Sequence, residues 1–292
     1  MDGLRAEGEP GDMDVRAHDE PDAFEAAVRP FYAVDPVRHT LALTVLARNL
    51  HDPTIEPVML TVHRDGELYG SVFRTPPWPL IISGLPLDAA TAVAEMLATV
   101  DPDLPGVNGP RETAEGFARA WADQTGAGLR EVLAGRLYEL GDLLEPAAPG
   151  AGRPTTEADI PLLVGWRNDF QIEALGHSRQ PAHAEKIIRQ TLALGDRQQL
   201  WEYDGEVVSW AHVGAPAGGM SRVGPVYTPP ERRGRGYGSA VTAAASSWAR
   251  DAGARHVLLF TDLANPTSNS IYQKIGYRPV FDICEIEFTP AP

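Results

Sequence analysis

Two apolar periods alternate along the chain, and their order is nearly the same twice over. Ala23–Val28 and Leu41–Leu50 repeat large side chains at helical spacing. Val58–Val62 and Glu67–Phe73 alternate as strands about Asp65-Gly66, the dipeptide of a two-residue hairpin turn. Leu80–Ile82 is a short apolar strand and Leu87–Thr99 an amphipathic helix. Arg111–Thr125 is another helix, with Ala114, Phe117, Ala118 and Trp121 on one face, and Leu137–Leu143 predicts a closing strand. A stretch rich in Pro, Gly and Ala runs from Glu145 to Pro154, as domain boundaries do.

Beyond it the sequence starts again. Thr156-Glu-Ala-Asp159 has a capping signature, and Ile160–Glu173, interrupted near Trp166, and Pro181–Leu194 predict helices. Gln199–Tyr203 and Val207–Val213 flank Asp204-Gly205-Glu206, an echo of Asp65-Gly66-Glu67. Arg222–Tyr227 reads as a strand, Ala240–Ala249 as a helix through Val241, Ala244, Ala245 and Trp248, and His256–Thr261 as a buried strand. Asn265-Pro266 opens a short helix that Gly276 closes, much as Asn108-Gly-Pro110 precedes one in the first half. The repetition predicts a tandem pair of similar α/β domains of the α+β type. The expected boundaries are a disordered acidic tail over 1–22, a first domain over 23–145, a linker over 146–154 and a second domain over 155–292.

Composition narrows the class. The chain has 292 residues and a net charge of −15, with a pI near 4.9. Nucleic-acid binding wants a basic surface, so it is not expected. One cysteine, Cys284, allows no internal disulfide and points to a reducing compartment. No apolar run reaches the roughly 18 residues of a membrane span, and the acidic N-terminus is unlike a signal peptide. A cytoplasmic protein is therefore expected. Nearly all its basic residues are Arg, Lys186 and Lys274 being the only lysines, a bias that suggests a GC-rich bacterial genome. No His, Cys and carboxylate cluster has metal-ligand spacing; His63 stands on a strand without such a partner.

The candidate chemistry lies in Val226-Tyr-Thr-Pro-Pro-Glu-Arg-Arg-Gly-Arg-Gly-Tyr-Gly-Ser-Ala240, between a strand and a helix. Three arginines (Arg232, Arg233, Arg235) and three glycines (Gly234, Gly236, Gly238) meet a helix start there. Glycine lets the backbone approach a ligand, and the first turn offers unpaired N–H groups at the positive end of the dipole. Such a loop cradles an anion, most naturally a pyrophosphate. A P-loop would need Gly-Lys-Ser/Thr, and no lysine is present. A dinucleotide fingerprint from Gly234 meets Ser239 at its sixth position, with Asp262 available as the acidic partner some 20 residues on.

The pattern met best is Arg-x-x-Gly-x-Gly, by Arg233, Gly236 and Gly238, and it resembles the acetyl-CoA loop of the GCN5-related N-acetyltransferases. In that family an Asn-x-x-Ala/Ser-x-x-Leu/Ile-Tyr-x-Lys-x-Gly-Phe/Tyr run follows at about this distance, and Asn265, Ser268, Ile271, Tyr272, Lys274, Gly276 and Tyr277 match it. The resemblance covers residues 155–292. It implies the acyl-CoA N-acyltransferase fold in tandem, a mixed and mostly antiparallel sheet flanked by helices in each copy. It also implies acetyl-CoA as co-substrate, an amine acceptor and no metal.

By the same resemblance, the backbone of Val226, Tyr227 and Thr228 pairs with the pantetheine arm and polarises the thioester carbonyl. Arg233, Gly234, Arg235, Gly236, Tyr237, Gly238 and Ser239 hold the pyrophosphate. Asn265, with Ser268 beside it, bonds the pantetheine amide, and Tyr272 protonates the leaving thiolate. For the base that deprotonates the amine, Glu202 is the leading carboxylate and His212 the next candidate; Glu173, His177 and His183 lie in the helices expected over the acceptor. The first domain lacks Arg-x-x-Gly-x-Gly and a counterpart of Tyr272, so it is expected to be degenerate. Three functions compete: an acetyl-CoA-dependent N-acetyltransferase, a non-catalytic acyl-CoA sensor, and a dinucleotide-binding oxidoreductase resting on Asp262.

Overall fold

The computed structural model describes residues 13–175 and 179–290. In chain order the first set of elements is β1 (Met13–Ala17), α1 (Pro21–Tyr32), α2 (Thr40–Arg48), β2 (Val58–Arg64), β3 (Glu67–Arg74), β4 (Leu80–Gly84), α3 (Ala90–Val100), β5 (Gly106–Pro110), α4 (Arg111–Thr125) and β6 (Gly128–Leu140). The second set is β7 (Ala151–Pro154), α5 (Ile160–Leu175), α6 (Pro181–Ala193), β8 (Arg197–Tyr203), β9 (Glu206–Val213), β10 (Met220–Tyr227), α7 (Tyr237–Asp251), β11 (His256–Asp262), α8 (Pro266–Lys274) and β12 (Tyr277–Thr289). The two sets have the same order of strands and helices. Both hairpin turns place an aspartate and a glycine at positive φ, Asp65-Gly66 and Asp204-Gly205, as a type I′ turn requires.

Pairing repeats as well. β1 lies antiparallel to β2 and β7 antiparallel to β8; β4 runs parallel to β5 and β10 parallel to β11. The expectation of a tail through residue 22 fails at β1. Met13 and Val15 alternate with Asp14 and Arg16, and Val15 is buried in the first unit's core, so the segment has an apolar face to hide. Residues 1–12 lie outside the described residues.

The chain divides into two compact units, Met1–Gly135 with Phe281–Pro292, and Arg136–Val280. The first unit's sheet runs β1-β2-β3-β4-β5 and is completed by the 281–289 part of β12; the second runs β7-β8-β9-β10-β11 and is completed by the 136–140 part of β6. Each repeat therefore gives part of its final strand to the other unit, which differs from the expected contiguous domains. The stretch 146–154, expected as linker, holds the edge strand β7 of the second unit.

In the first unit Val72, Ile82, Leu97, Phe117 and Trp121 share one core. In the second, the sheet is packed on both faces. Ala211, Val223 and Leu259 meet Val241 and Ala245 of α7; Leu200, Trp210 and Tyr227 meet Leu163 and Trp166 of α5 and Ile188 of α6. Alternation along each strand sends one set to each helix layer. Among the described residues no helix is long and apolar enough to cross a membrane.

Candidate active site

The site is built where β10 parts from β11. The parallel register holds for Met220↔His256, Ser221↔Val257 and Arg222↔Leu258 and goes no further. β10 nevertheless continues to Tyr227, paired on its other side with β9 through Val226↔Ala211 and Tyr227↔Trp210. From Val223 onward its β11-facing edge has no partner strand, and the parting leaves a slot between the two strands. An extended polar chain can add to such an edge by main-chain hydrogen bonds.

The slot leads to the loop picked out by sequence. A turn of 3-10 helix (Pro230–Arg232) is followed by Gly234 at φ 76° and Gly236 at φ 82°, and Gly236 caps α7. That backbone suits glycine, and it turns successive N–H groups to one side. The N–H groups of residues 234–239 find no acceptor among the described residues, and Ala240 is the first to bond back, to the Gly236 carbonyl at 3.0 Å. A Cβ on Gly238 would stand 3.4 Å from the Thr228 hydroxyl. The Tyr237 side chain is buried, so it offers a ligand its N–H only. These groups fit a pyrophosphate.

The arginines divide their labour. Arg233 donates from Nε to the Thr228 carbonyl at 2.8 Å and from its terminal nitrogen to Glu173 at 2.5 Å. Arg232 pairs with Glu206, and Arg235 is exposed with no partner among the described residues. Glu173, at the end of α5, also accepts from the Tyr227 hydroxyl at 3.2 Å. Burial first, then the negative charge of Glu173, pushes the Tyr227 phenol up to about 12. Sequence had placed Glu173 only somewhere over the acceptor; its salt bridge spans 60 positions, which no local pattern reveals.

At the end of β11, Asp262 caps the approach to α8, its carboxylate accepting from the Ala264 N–H at 2.7 Å. Asn265 is the N-cap: its Oδ1 accepts from the Ser268 N–H at 3.0 Å, leaving its amide N–H groups to donate. Tyr272 is half-buried, packs edge-on to Tyr277 with ring centroids 6.2 Å apart, and shares a side-chain hydrogen bond with Ser268. Burial outweighs that bond and lifts its phenol to about 12. Sequence missed what anchors this helix. Asn269 accepts from the buried Tyr138 hydroxyl at 2.9 Å, and Gln273 donates to the same oxygen at 3.1 Å.

The candidate bases are engaged. Glu202 accepts from Arg153 at 2.6 Å, and Arg153 also holds Asp159 of the Thr156 capping box. His212 has Gly224 O at 2.8 Å from Nδ1 and Asp196 at 3.0 Å from Nε2. His183 is exposed on α6, and His177 lies outside the described residues. Among the described residues no group of His, Cys, Asp and Glu side chains is placed to hold a metal ion.

Comparison with known proteins agrees with this geometry. Residues 163–277 match the model of the Acetyltransferase (GNAT) family. A mycothiol acetyltransferase of Arthrobacter sp. (strain FB24) is 35% identical over 71 residues, 23% of this chain and 22% of that protein; the match thus spans about a fifth of the relative's length. Among solved structures, a GNAT-family acetyltransferase from Colwellia psychrerythraea aligns over 94% of this chain and 99% of its own, with a TM-score of 0.64 and 12% identity. A tandem GNAT protein from the clavulanic acid biosynthesis pathway aligns over 96% and 99%, with a TM-score of 0.58 and 13% identity. At that identity the likeness is one of fold, and it runs through both units.

Proposed function

We propose that this chain, which belongs to the acetyltransferase (GNAT) family through residues 163–277, transfers the acetyl group of acetyl-CoA to a primary amine by direct attack in a ternary complex. The observation that carries the proposal is the parting of β10 from β11 beside a glycine loop with unpaired N–H groups. A pyrophosphate on residues 233–239 leaves the pantetheine arm to lie along Thr228, Tyr227 and Val226. Asn265 then donates to an arm amide, and Ser268 holds the Tyr272 hydroxyl at the far side of the slot.

In the reaction the amine nitrogen attacks the thioester carbon, a C–N bond forms and the C–S bond breaks. The amine's proton passes to water or to Glu202 released from Arg153, and the sulfur leaves as a thiolate that accepts a hydrogen bond from Tyr272. A phenol raised to about 12 is a weaker acid than an ordinary thiol, so full proton transfer to the leaving thiolate is uphill. Tyr272 therefore contributes chiefly as a donor to sulfur as its charge develops. Glu202 serves as base only when released from Arg153. The dinucleotide alternative is set aside because the family match includes the loop.

One observation favours a second reading. With Glu202 paired and both His212 nitrogens facing acceptors, a non-catalytic acyl-CoA sensor would look much the same. Thiol release from acetyl-CoA, followed across a panel of amines with mass detection of the acetylated product, separates the two. The panel includes the amine precursor class of low-molecular-weight thiols, since the curated relative is named for mycothiol. Product with any amine supports the enzyme; tight acetyl-CoA binding with none supports the sensor; no binding rejects both.

A further inference from the structure

The register of β10 against β9 slips at one place, between Val223↔Val213 and Val226↔Ala211. Gly224 and Pro225 there oppose the single residue His212, so β10 carries a bulge. The bulge starts two residues past Arg222, the last residue paired to β11, and so stands at the closed end of the slot. Gly224 has φ 144°, a conformation other residues rarely adopt.

The bulge takes the Gly224 carbonyl out of the ladder, and a side chain catches it. Nδ1 of His212 is 2.8 Å from that oxygen. A carbonyl oxygen only accepts, so Nδ1 is the donor. On the other side Nε2 is 3.0 Å from Asp196 Oδ2, and Oδ1 of the same carboxylate accepts from the Ala215 N–H at 2.7 Å. The Asp196 side chain is fully buried and the His212 side chain 16% exposed. Both ring nitrogens face acceptors, which leaves neither lone pair aimed at an incoming amine.

Distance along the strand places this assembly relative to the ligand. From Thr228, beside the phosphate loop, back to Gly224 is at most about 13 Å at roughly 3.3 Å per residue. An arm anchored on the loop thus brings its acyl end to the bulge. Pro225 has no N–H, so the donors nearest that end belong to Gly224 and Val226.

We propose that His212 and Asp196 form a clamp that fixes the β10 bulge and thereby aims its backbone N–H at the thioester carbonyl, making His212 a positioning residue and not the base. The proposal rests on the acetyl-CoA reading above and adds what sets the acyl end of the slot.

The test needs no acceptor. The intact chain is loaded with acetyl-CoA carrying ¹³C at the carbonyl, and the bound carbonyl resonance is recorded beside calorimetric affinities for acetyl-CoA and CoA. In His212→Ala the bound resonance moves toward its free position, and acetyl-CoA loses about fivefold or more relative to CoA. CoA affinity, set by the phosphate loop, stays within about twofold. His212→Gln, whose amide N–H still donates to Gly224, recovers part of the shift, and melting curves confirm the fold of each variant. His212→Phe, which keeps a ring and removes both nitrogens, gives the same direction should His212→Ala fail to fold. An unchanged resonance and an unchanged acetyl-CoA to CoA ratio in the folded variants overturn the clamp. Failure of the wild type to bind either ligand overturns instead the reading on which it rests.

Discussion

Arg233 is held by two groups, the Thr228 carbonyl and the Glu173 carboxylate, and each implies a different effect of mutation. The first bond ties the loop to the end of β10. The second sets a carboxylate against a guanidinium that a pyrophosphate would also claim. Arg233→Ala should weaken CoA binding about tenfold to a hundredfold, the worth of a charge-assisted bond of about 1.5–3 kcal/mol. Glu173→Gln should strengthen it, but by no more than about fivefold, because both partners are more than a third exposed and such pairs contribute about 0–1 kcal/mol. Calorimetry reads both. Weaker binding in Glu173→Gln would mean that the carboxylate orients Arg233 and does not compete for it. Tyr272→Phe keeps the ring packed on Tyr277 and deletes the donor. Turnover should fall about a hundredfold, the low end for a lost proton donor, with acetyl-CoA affinity unchanged. Lifted to about 12, this phenol prefers its neutral form in the fold. Its contribution to stability is present below the ordinary tyrosine value near 10 and lost as pH rises toward 12.

At the scale of elements, α8 shows what was legible in the sequence and what was not. Asn265-Pro266 announced the helix start and the matching spacing placed Tyr272 on it, because caps and periodicity are local. The Tyr138 hydroxyl that fixes the helix through Asn269 lies 131 positions away, on a strand whose ownership by the second unit no local pattern betrays. β1 was missed for a related reason: a short edge strand in an acidic stretch gains its stability from the partner β2, and composition alone read it as tail. The arginines and glycines of the loop were legible as a cradle, yet the turning of Arg233 toward α5 was not. Asn265 itself has two duties that mutation can part. Asn265→Asp keeps an oxygen for the Ser268 N–H and removes the amide donor; melting temperature should hold while acetyl-CoA affinity drops several-fold. Asn265→Ala removes both and should also cost about 1 kcal/mol of stability. Equal affinity for wild type and Asn265→Asp would take the side chain out of the ligand site.

At the scale of the whole molecule, the repeated order of elements poses the question of how many CoA sites the chain carries. The first unit starts from the same frame: β4 runs parallel to β5 through Leu80↔Val107 and Ile81↔Asn108 and then stops pairing. There the likeness ends. A Cβ on Gly109 would meet the Ile82 side chain at 2.7 Å, so an apolar group lies against β5 where a slot would need room. The chain turns back at once, with the Leu85 N–H bonded to the Ile82 carbonyl at 3.0 Å. Pro86 brings no N–H, and Leu85 to Ala90 contain no glycine. Asp88 stands where the loop's phosphate would sit; Arg64, 2.5 Å away, holds its carboxyl below the usual carboxylate range, with the Tyr69 hydroxyl at 3.2 Å. Arg64 is taken up by Asp88, so the ion pair leaves that helix start no free guanidinium to hold a second pyrophosphate. We therefore expect one CoA per chain, bound by the second unit alone. The intact protein is the one to titrate, because a fragment over 155–292 would lose the 136–140 strand and with it Tyr138. Calorimetry should return a stoichiometry near one, and Arg233→Ala should weaken all of the binding seen. A stoichiometry near two, or a full-strength site surviving in Arg233→Ala, would show that the first unit binds CoA after all.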